Sequence, residues 1–390
     1  VQPGTYVENI DFSGKNIVLG SLFLMSQDTS KIAETIIDGN FGGTVVTLHD
    51  GEDSSAVFCG FTVTGAGDGE GVRCVSASPT LKDLIIRNNG MWWNSGPSGL
   101  YLLASSSVIH NILFTENNGG SHLAIENSNI SATFISILDN NNVQAIYCSD
   151  SNFELGNATI TGHSGENSEA LHFLSSNVSV INSVLWNDSP HQIVAQGNWG
   201  PCSLDISYTA LRGGESAIRY DPYEENTELN LTWGNGMIDF DPLFCNVVAN
   251  DFQLSIGSPC ISAGIEGGMI GSMGIGCTEV STVLGVVINV ATDGSDEIGD
   301  GSESFPYASI QYGIDNAVSG DTVLIHPGNY PESINYRGKN IVLGSTFLVS
   351  GDTTFITETI ISGNPTSDQA TTIEISQNED EGTELVGVTI

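Results

Sequence analysis

The phrase LKDLIIRNN, residues 81–89, recurs with variation down the chain. It is answered by IHNILFTENN from Ile109, SATFISILDNN from Ser131, LGNATITGHS from Leu155, VINSVLWNDS from Val180 and LDISYTALRGG from Leu204. Each phrase alternates apolar and polar residues over about six positions and ends in an Asn, Asp or Gly turn, the pattern of a half-buried strand. Aligning Asp83, Asn111, Thr133, Asn157, Asn182 and Ser207 gives spacings of 28, 22, 24, 25 and 25 residues. Between the phrases lie second short strands: GLYLLAS, SHLAIENS, QAIYCSDS, EALHFLSS and HQIVAQG. A sandwich or barrel shows turn signals at roughly 8–12-residue spacing and no coil-scale self-similarity. A leucine-rich repeat needs a Leu/Asn framework that is absent here. An all-β parallel solenoid of about 10–12 coils remains, with equivalent residues stacked ~4.8 Å apart. Its interior is expected to hold Leu84, Ile86, Ile112, Phe114, Ala158 and Ile160. Asn89, Asn117, Asn140 and Asn187 are expected to stack as a structural turn ladder, their amides bonded along the axis.

A longer repeat encloses the short one. Residues 3–40 and 327–364 are identical at 25 of 38 positions by direct count, at a constant offset of 324. GKNIVLGS, residues 14–21, returns unchanged at 338–345. The chain therefore reads as a β-helix unit over residues 1–277, a connector over 278–286, and the start of a second unit over 287–390. The start of a β-helix exposes an unpaired edge and an open core unless something covers it. In the second copy Tyr307, Ile310, Ile314 and Ala317 fall on one helical face, with Pro306 before them and Gly320 after. A short capping helix near residues 305–318 is expected there. The corresponding lid of the first copy is expected upstream of Val1.

The 9 Lys and Arg stand against 46 Asp and Glu, a formal net charge of −37. Nothing in such a balance neutralises phosphates, so neither nucleic acid nor an anionic membrane is an expected partner. No apolar run reaches the ~18 residues of a membrane span. The seven cysteines show no metal-ligand spacing. Disulfides Cys59–Cys74 and Cys260–Cys277 are one reading, and buried free thiols are an equal one. An extracellular or cell-surface setting fits the composition. The loop DGSDEIGDGS places Asp293, Asp296 and Asp300 on a Gly-rich turn, where hard oxygen ligands suit calcium; capping of their own backbone is the plainer alternative.

Two passages resemble the pectin-lyase-like right-handed parallel β-helix superfamily, and more closely large acidic secreted tandem-repeat proteins of that fold. Residues 287–334 are similar to its N-terminal cap and first coil; DPLFCNVVANDFQLSIGSPCISAG, residues 241–264, is similar to its final coil. The resemblance implies a right-handed β-helix and leaves activity open, because one scaffold hosts many functions. Polygalacturonase-type members carry Asp-Asp, Gly-His-Gly and Arg-Ile-Lys motifs, and none occurs here. Pectate-lyase-type members need clustered carboxylates for calcium and a basic side chain for the proton beside the uronate carboxyl. The nearest approach is Arg73 with Asp68 and Glu70 in GAGDGEGVR. Lys15 and Lys339 occupy the same turn of the two copies and read as structural. Trp92, Trp93, Trp186, Trp199 and Trp233 are candidates for sugar stacking. The expected function is a structural or adhesive protein assembling head-to-tail with copies of itself. The alternative is a polysaccharide-active protein, either a calcium-dependent uronate lyase or a carbohydrate-binding β-helix.

Overall fold

The computed structural model describes residues 1–91, 96–140, 144–163, 168–187, 189, 191–197, 200–222, 229–277, 285–350, 352–363, 371–376 and 382–390. The chain forms two units, Val1–Ser281 and Thr282–Ile390. Trp92, Trp93, Trp199 and residues 278–284 of the expected connector lie outside the described residues.

The first unit is a right-handed parallel β-helix. One sheet holds nine short strands, from Ile10–Asp11 through Leu100–Leu103 to Ile218–Pro222, neighbours in space in the order of the chain. Nine strands mean nine turns among the described residues, slightly fewer than the phrase spacing implied. A larger parallel sheet carries the other walls. Leu84, Ile86, Ile112, Phe114, Ala158 and Ile160 all face the interior at 2% exposure or less and belong to one continuous core.

Each coil must turn sharply without losing register, and it does so with single left-handed residues. One column comprises Asp83, Asn111, Phe134, Asn157, Asn182 and Tyr208, with φ between 49 and 56°. Asn and Asp tolerate this conformation through local hydrogen bonding. Phe134 and Tyr208 take the places expected of Thr133 and Ser207, one residue later. Stacking pressure from neighbouring coils, rather than local propensity, sets the bend there. A second column, Asn88, Glu116 and Asp139, precedes the amide ladder. Asn89 N donates to Asn117 Oδ1 at 3.1 Å, and Asn117 N to Asn140 Oδ1 at 2.9 Å. Their Nδ2 groups donate to carbonyls, as Asn117 does to Ile86 O at 2.8 Å. His163 holds the next rung and donates its N–H to Asn187 Oδ1 at 3.3 Å. A third column, Ser76, Ala104, Asn127, Asp150 and Ser175, precedes a serine ladder that the phrase alignment did not single out. Backbone N–H groups of Ser105, Ser128 and Ser151 donate to the Oγ of Ser128, Ser151 and Ser176 at 3.0, 3.0 and 3.1 Å.

The segment expected as a final coil, residues 241–264, does not continue the spiral. Phe244–Asn246, Asp251–Ser255 and Ile275–Cys277 form a separate three-stranded sheet. It packs as an outer strap on Leu138, Val184 and Ala210, which form a core with Phe252, Leu254 and Ile270. Ser272 N donates to Thr159 Oγ1 at 2.9 Å, and Gly271 N to Asn182 O at 2.7 Å. The coil positions beneath it are apolar on their outer side and need this cover. The strap is closed by Cys245–Cys277. Neither expected disulfide forms. Cys277 pairs across the strap, while Cys260 is buried in its core. Cys59 and Cys74 stand on strands of different sheets and remain buried thiols.

In the second unit a helix runs over Ile310–Asn316, with Ile310 and Ile314 fully buried, Ala317 just beyond it and Tyr307 packed against the same core. It is shorter than expected because residues 305–309 are extended. Tyr307 N donates to Asn289 O, and Tyr307 O accepts from Ala291 N, so this stretch is held to the strand Gly285–Val290. The helix caps the unit's own core.

Replacing Asn117 with Ala removes the acceptor for Asn89 N and the donor to Ile86 O, both buried. Chemical unfolding of Asn117→Ala should show a loss of about 2–3 kcal/mol, whereas Asn177→Ala, on an exposed rung, should stay within about 0.5 kcal/mol of the parent. Equal effects would contradict the load assigned to the buried ladder.

Candidate functional site

Side chains alternate inward and outward along the strands of the nine-stranded sheet. Parallel register then stacks the second position of each strand: Asp11 and Thr47, then Arg73, Tyr101, Ala124, Tyr147, His172, Val194 and Arg219. Ala124 and Val194 are fully buried and His172 is 9% exposed, so this face is recessed rather than open.

At one end Arg73 Nη1 meets Glu70 Oε1 at 2.7 Å, and Glu70 Oε2 accepts from Thr44 Oγ1 at 2.7 Å. The Arg73 guanidinium lies 4.7 Å from the Tyr101 ring centroid, and Tyr101 OH donates to Glu126 Oε2 at 3.1 Å. Burial, with Glu126 beside it, pushes the Tyr101 hydroxyl up to about 12. In the middle, His172 Nδ1 lies 3.1 Å from Gln144 Nε2, and its ring is 6.2 Å from that of Tyr147. Burial lowers the His172 pKa, against the opposing pull of a hydrogen bond to Gln196 and the charge of Glu169. At the far end Arg219 Nε donates to Asp221 Oδ2 at 3.0 Å. The arrangement offers two guanidinium groups, two phenols and an imidazole along one axis. Such a set can hold an extended polar chain by stacking and hydrogen bonding.

Of the expected lyase trio, the structure joins Arg73 and Glu70 and leaves Asp68 exposed. The Arg73 guanidinium is engaged by the Glu70 carboxylate rather than left free to take a proton. Tyr101, Tyr147, His172 and Arg219 were missed from the sequence, although the strands LYLL, IYCS, LHFL and IRYDP contain them at equal offset.

The acidic loop of the second unit serves its backbone. Asp296 accepts from Ala308 N, Ser309 N and Ser309 Oγ at 2.8, 3.1 and 2.7 Å. Asp300 accepts from Ser302 N at 3.0 Å, and hydrogen bonds from Ser302 hold its carboxyl below the usual range. Asp293 lines a cleft of about 330 Å³ with Glu303 and His326. Among the described residues no group of three or more His, Cys, Asp or Glu is placed to hold a metal ion. Trp186 packs beside the strap's core, and Trp233 is exposed.

A second polar cluster lies inside the first unit. The His122 and His163 rings stand 5.6 Å apart, with Ser98 Oγ at 3.2 Å from His122 Nδ1 and Asn187 Oδ1 at 3.1 Å from His163 Nδ1. Among the described residues neither Nε2 has a hydrogen-bond partner. Burial lowers both pKa values, that of His163 to about 4.

No protein-family model matches the chain, and no curated protein matches it. Among solved structures it is similar to an alginate lyase of family PL6, AlyGC, in a mutant form. The identity is 10%, the TM-score 0.27, and the match covers 88% of this chain and 64% of that one.

The imidazole pair generates a pH dependence. Unfolded imidazoles protonate near pH 6.5, whereas folded His163 stays neutral down to about pH 4. Stability is therefore full above pH 6.5 and falls as pH drops toward 4, by about 3 kcal/mol for His163 alone. His163→Asn restores the ladder residue and should flatten the stability curve between pH 6.5 and 5 relative to the parent. An unchanged slope in urea titrations across that window would refute the assignment.

Proposed function

We propose that the protein is an extracellular structural or adhesive protein made of tandem β-helical units that assemble into an end-to-end array. One observation supports this reading above others: the duplicated opening folds alike in both units. Helices Phe23–Ser26 and Ser30–Glu34 recur at Phe347–Ser350 and Thr354–Glu358, and strand Val18–Gly20 recurs within Val342–Ser345. A sequence that keeps its fold at each repeat suits a modular array. The high negative charge keeps such an assembly soluble until cations screen it. Light scattering and negative-stain imaging of the chain, with and without millimolar calcium, should show strings that lengthen with concentration. Single particles under all conditions would reject the array.

The recessed column on the nine-stranded sheet favours a second reading, in which this face binds or cleaves an extracellular polysaccharide. Neutral His172 is suited to accept a proton, and Arg73 and Arg219 to hold acidic groups of the glycan. A glycan array followed by an absorbance assay for unsaturated uronate product separates the outcomes. Binding lost in both Arg73→Ala and Arg219→Ala identifies the face. Product formation lost in His172→Ala adds chemistry to it. Binding unaffected by all three variants would reject this reading.

A further inference from the structure

His122 and His163 stand in coils two apart. The strands that follow them are Leu123–Glu126 and Leu171–Leu174, with Ile146–Ser149 between the two. Both side chains are buried at 1% exposure or less, and their rings lie 5.6 Å apart. In the coil between them Ala145 takes the register position of His122, and Ala170 takes it in the next. Each offers a single methyl group there.

The two imidazoles are anchored by Nδ1, from opposite directions along the axis. His122 Nδ1 lies 3.2 Å from the Oγ of Ser98, in the preceding coil. His163 Nδ1 lies 3.1 Å from the Oδ1 of Asn187, in the following coil. The tautomers follow from these anchors. Asn187 Oδ1 also accepts from His163 N, so it is an acceptor and takes the Nδ1 proton. Ser98 Oγ donates to Ser121 O at 3.4 Å and so accepts from His122 Nδ1. Both Nε2 atoms therefore carry a bare lone pair. Nε2 sits across the ring from Nδ1, so the lone pairs are turned back from the anchors, toward the space between the two coils. Among the described residues neither meets a donor. Two buried acceptors without a partner cost stability unless a ligand engages them.

We propose that the Nε2 atoms of His122 and His163 ligate one monovalent d10 metal ion, of the copper(I) class. With metal–nitrogen bonds of about 2.0 Å, rings at this separation correspond to an N–metal–N angle of roughly 120–130°. An Nδ1–H held by an oxygen is also the usual setting of a ligating histidine. The surroundings select the charge. Among the described residues no carboxylate is hydrogen bonded to either ring. A divalent ion would carry two charges into a dry site with neutral donors, and a monovalent ion carries one. This site lies inside the first unit and depends on neither the array nor the glycan face. The acid sensitivity derived for His163 belongs to the metal-free chain.

Silver(I) is a redox-inert probe of this class. The full chain, with ¹⁵N-labelled histidine, is refolded from urea with its disulfide intact, with and without Ag+, and dialysed. Thiols also take this ion, so the readouts are the imidazole nitrogens and the difference between variants. Two of the seven histidines should show a shifted Nε2 resonance, with Nδ1 still protonated. Bound silver should fall by one equivalent per chain in His163→Asn, which restores the ladder residue, and in His122→Ala, which repeats Ala145 and Ala170. Zn2+ should compete for these nitrogens at least tenfold more weakly than Ag+. Unmoved Nε2 resonances in a parent chain that melts cooperatively would overturn the proposal, as would equal silver content in the parent and both variants. Tighter binding of Zn2+ at the same nitrogens would overturn the assignment to a monovalent ion.

Discussion

Parallel register is the constraint on which the rest of this molecule depends. Each coil must present its backbone N–H and C=O groups to the next at ~4.8 Å, turn after turn, or leave them unpaired in a dry interior. A closed coil cannot meet that demand with extended residues alone. It needs bends that consume one residue and restore direction, and the left-handed conformation supplies them. The three columns of positive φ, running through Asp83, Asn88 and Ser76 and their equivalents, are the consequence. Behind two of these columns sits a ladder, one of amides and one of hydroxyls, that satisfies backbone groups the bend turns inward. Where the amide ladder is interrupted by His163, the imidazole is paired, among the described residues, through Nδ1 alone.

The same constraint creates the difficulty at the ends. A spiral of paired strands has a first and a last edge, and its apolar interior would open there to solvent. The second unit closes its start with a helix clamped by Glu332 and Lys339. The first unit covers apolar outer positions with the strap that ends at Cys277. Two charged residues, Glu332 and Lys339, hold the second unit's cap at its two ends.

The spiral was legible in the sequence because its signals are local and repeated. Alternating Leu84 and Ile86, then Ile112 and Phe114, followed by an Asn turn, can arise from few other folds. The amide ladder followed from the same alignment. The bends at Phe134 and Tyr208 did not, because a bulky residue in a left-handed turn is imposed by its stacked neighbours and leaves no mark in local propensity. The strap was misread as a coil for a related reason. Phe252 and Leu254 alternate like coil residues, and only the three-dimensional position of Leu138 and Val184 reveals that they face an outer wall. The disulfide partner of Cys277 could not be chosen from spacing, since pairing depends on how the strap folds back. The recessed column was hidden differently. Tyr101, Tyr147 and His172 each look ordinary within a strand, and their alignment appears only when the short strands are themselves placed in register.

Register also governs how the chain carries its charge. Stacking in parallel places like positions above one another, so a repeated acidic residue would face its own copy at close range and repel it. The walls avoid this by interposition: between Arg73 and Arg219 the outward column holds only Tyr, Ala, His and Val, and Glu126 and Asp221 are each hydrogen bonded to a neighbour in this face. At the corners two acids are met by an amide of the neighbouring coil. Asn111 donates to Asp83 at 2.8 Å, and Asn88 to Glu116 at 2.9 Å. An amide stacked on a carboxylate donates to it, so such a pair is cohesive where two stacked carboxylates would not be. The abundance of Asn beside so many acids is then a consequence of stacking. It lets a formal charge of −37 lie on a solenoid without unstitching its turns.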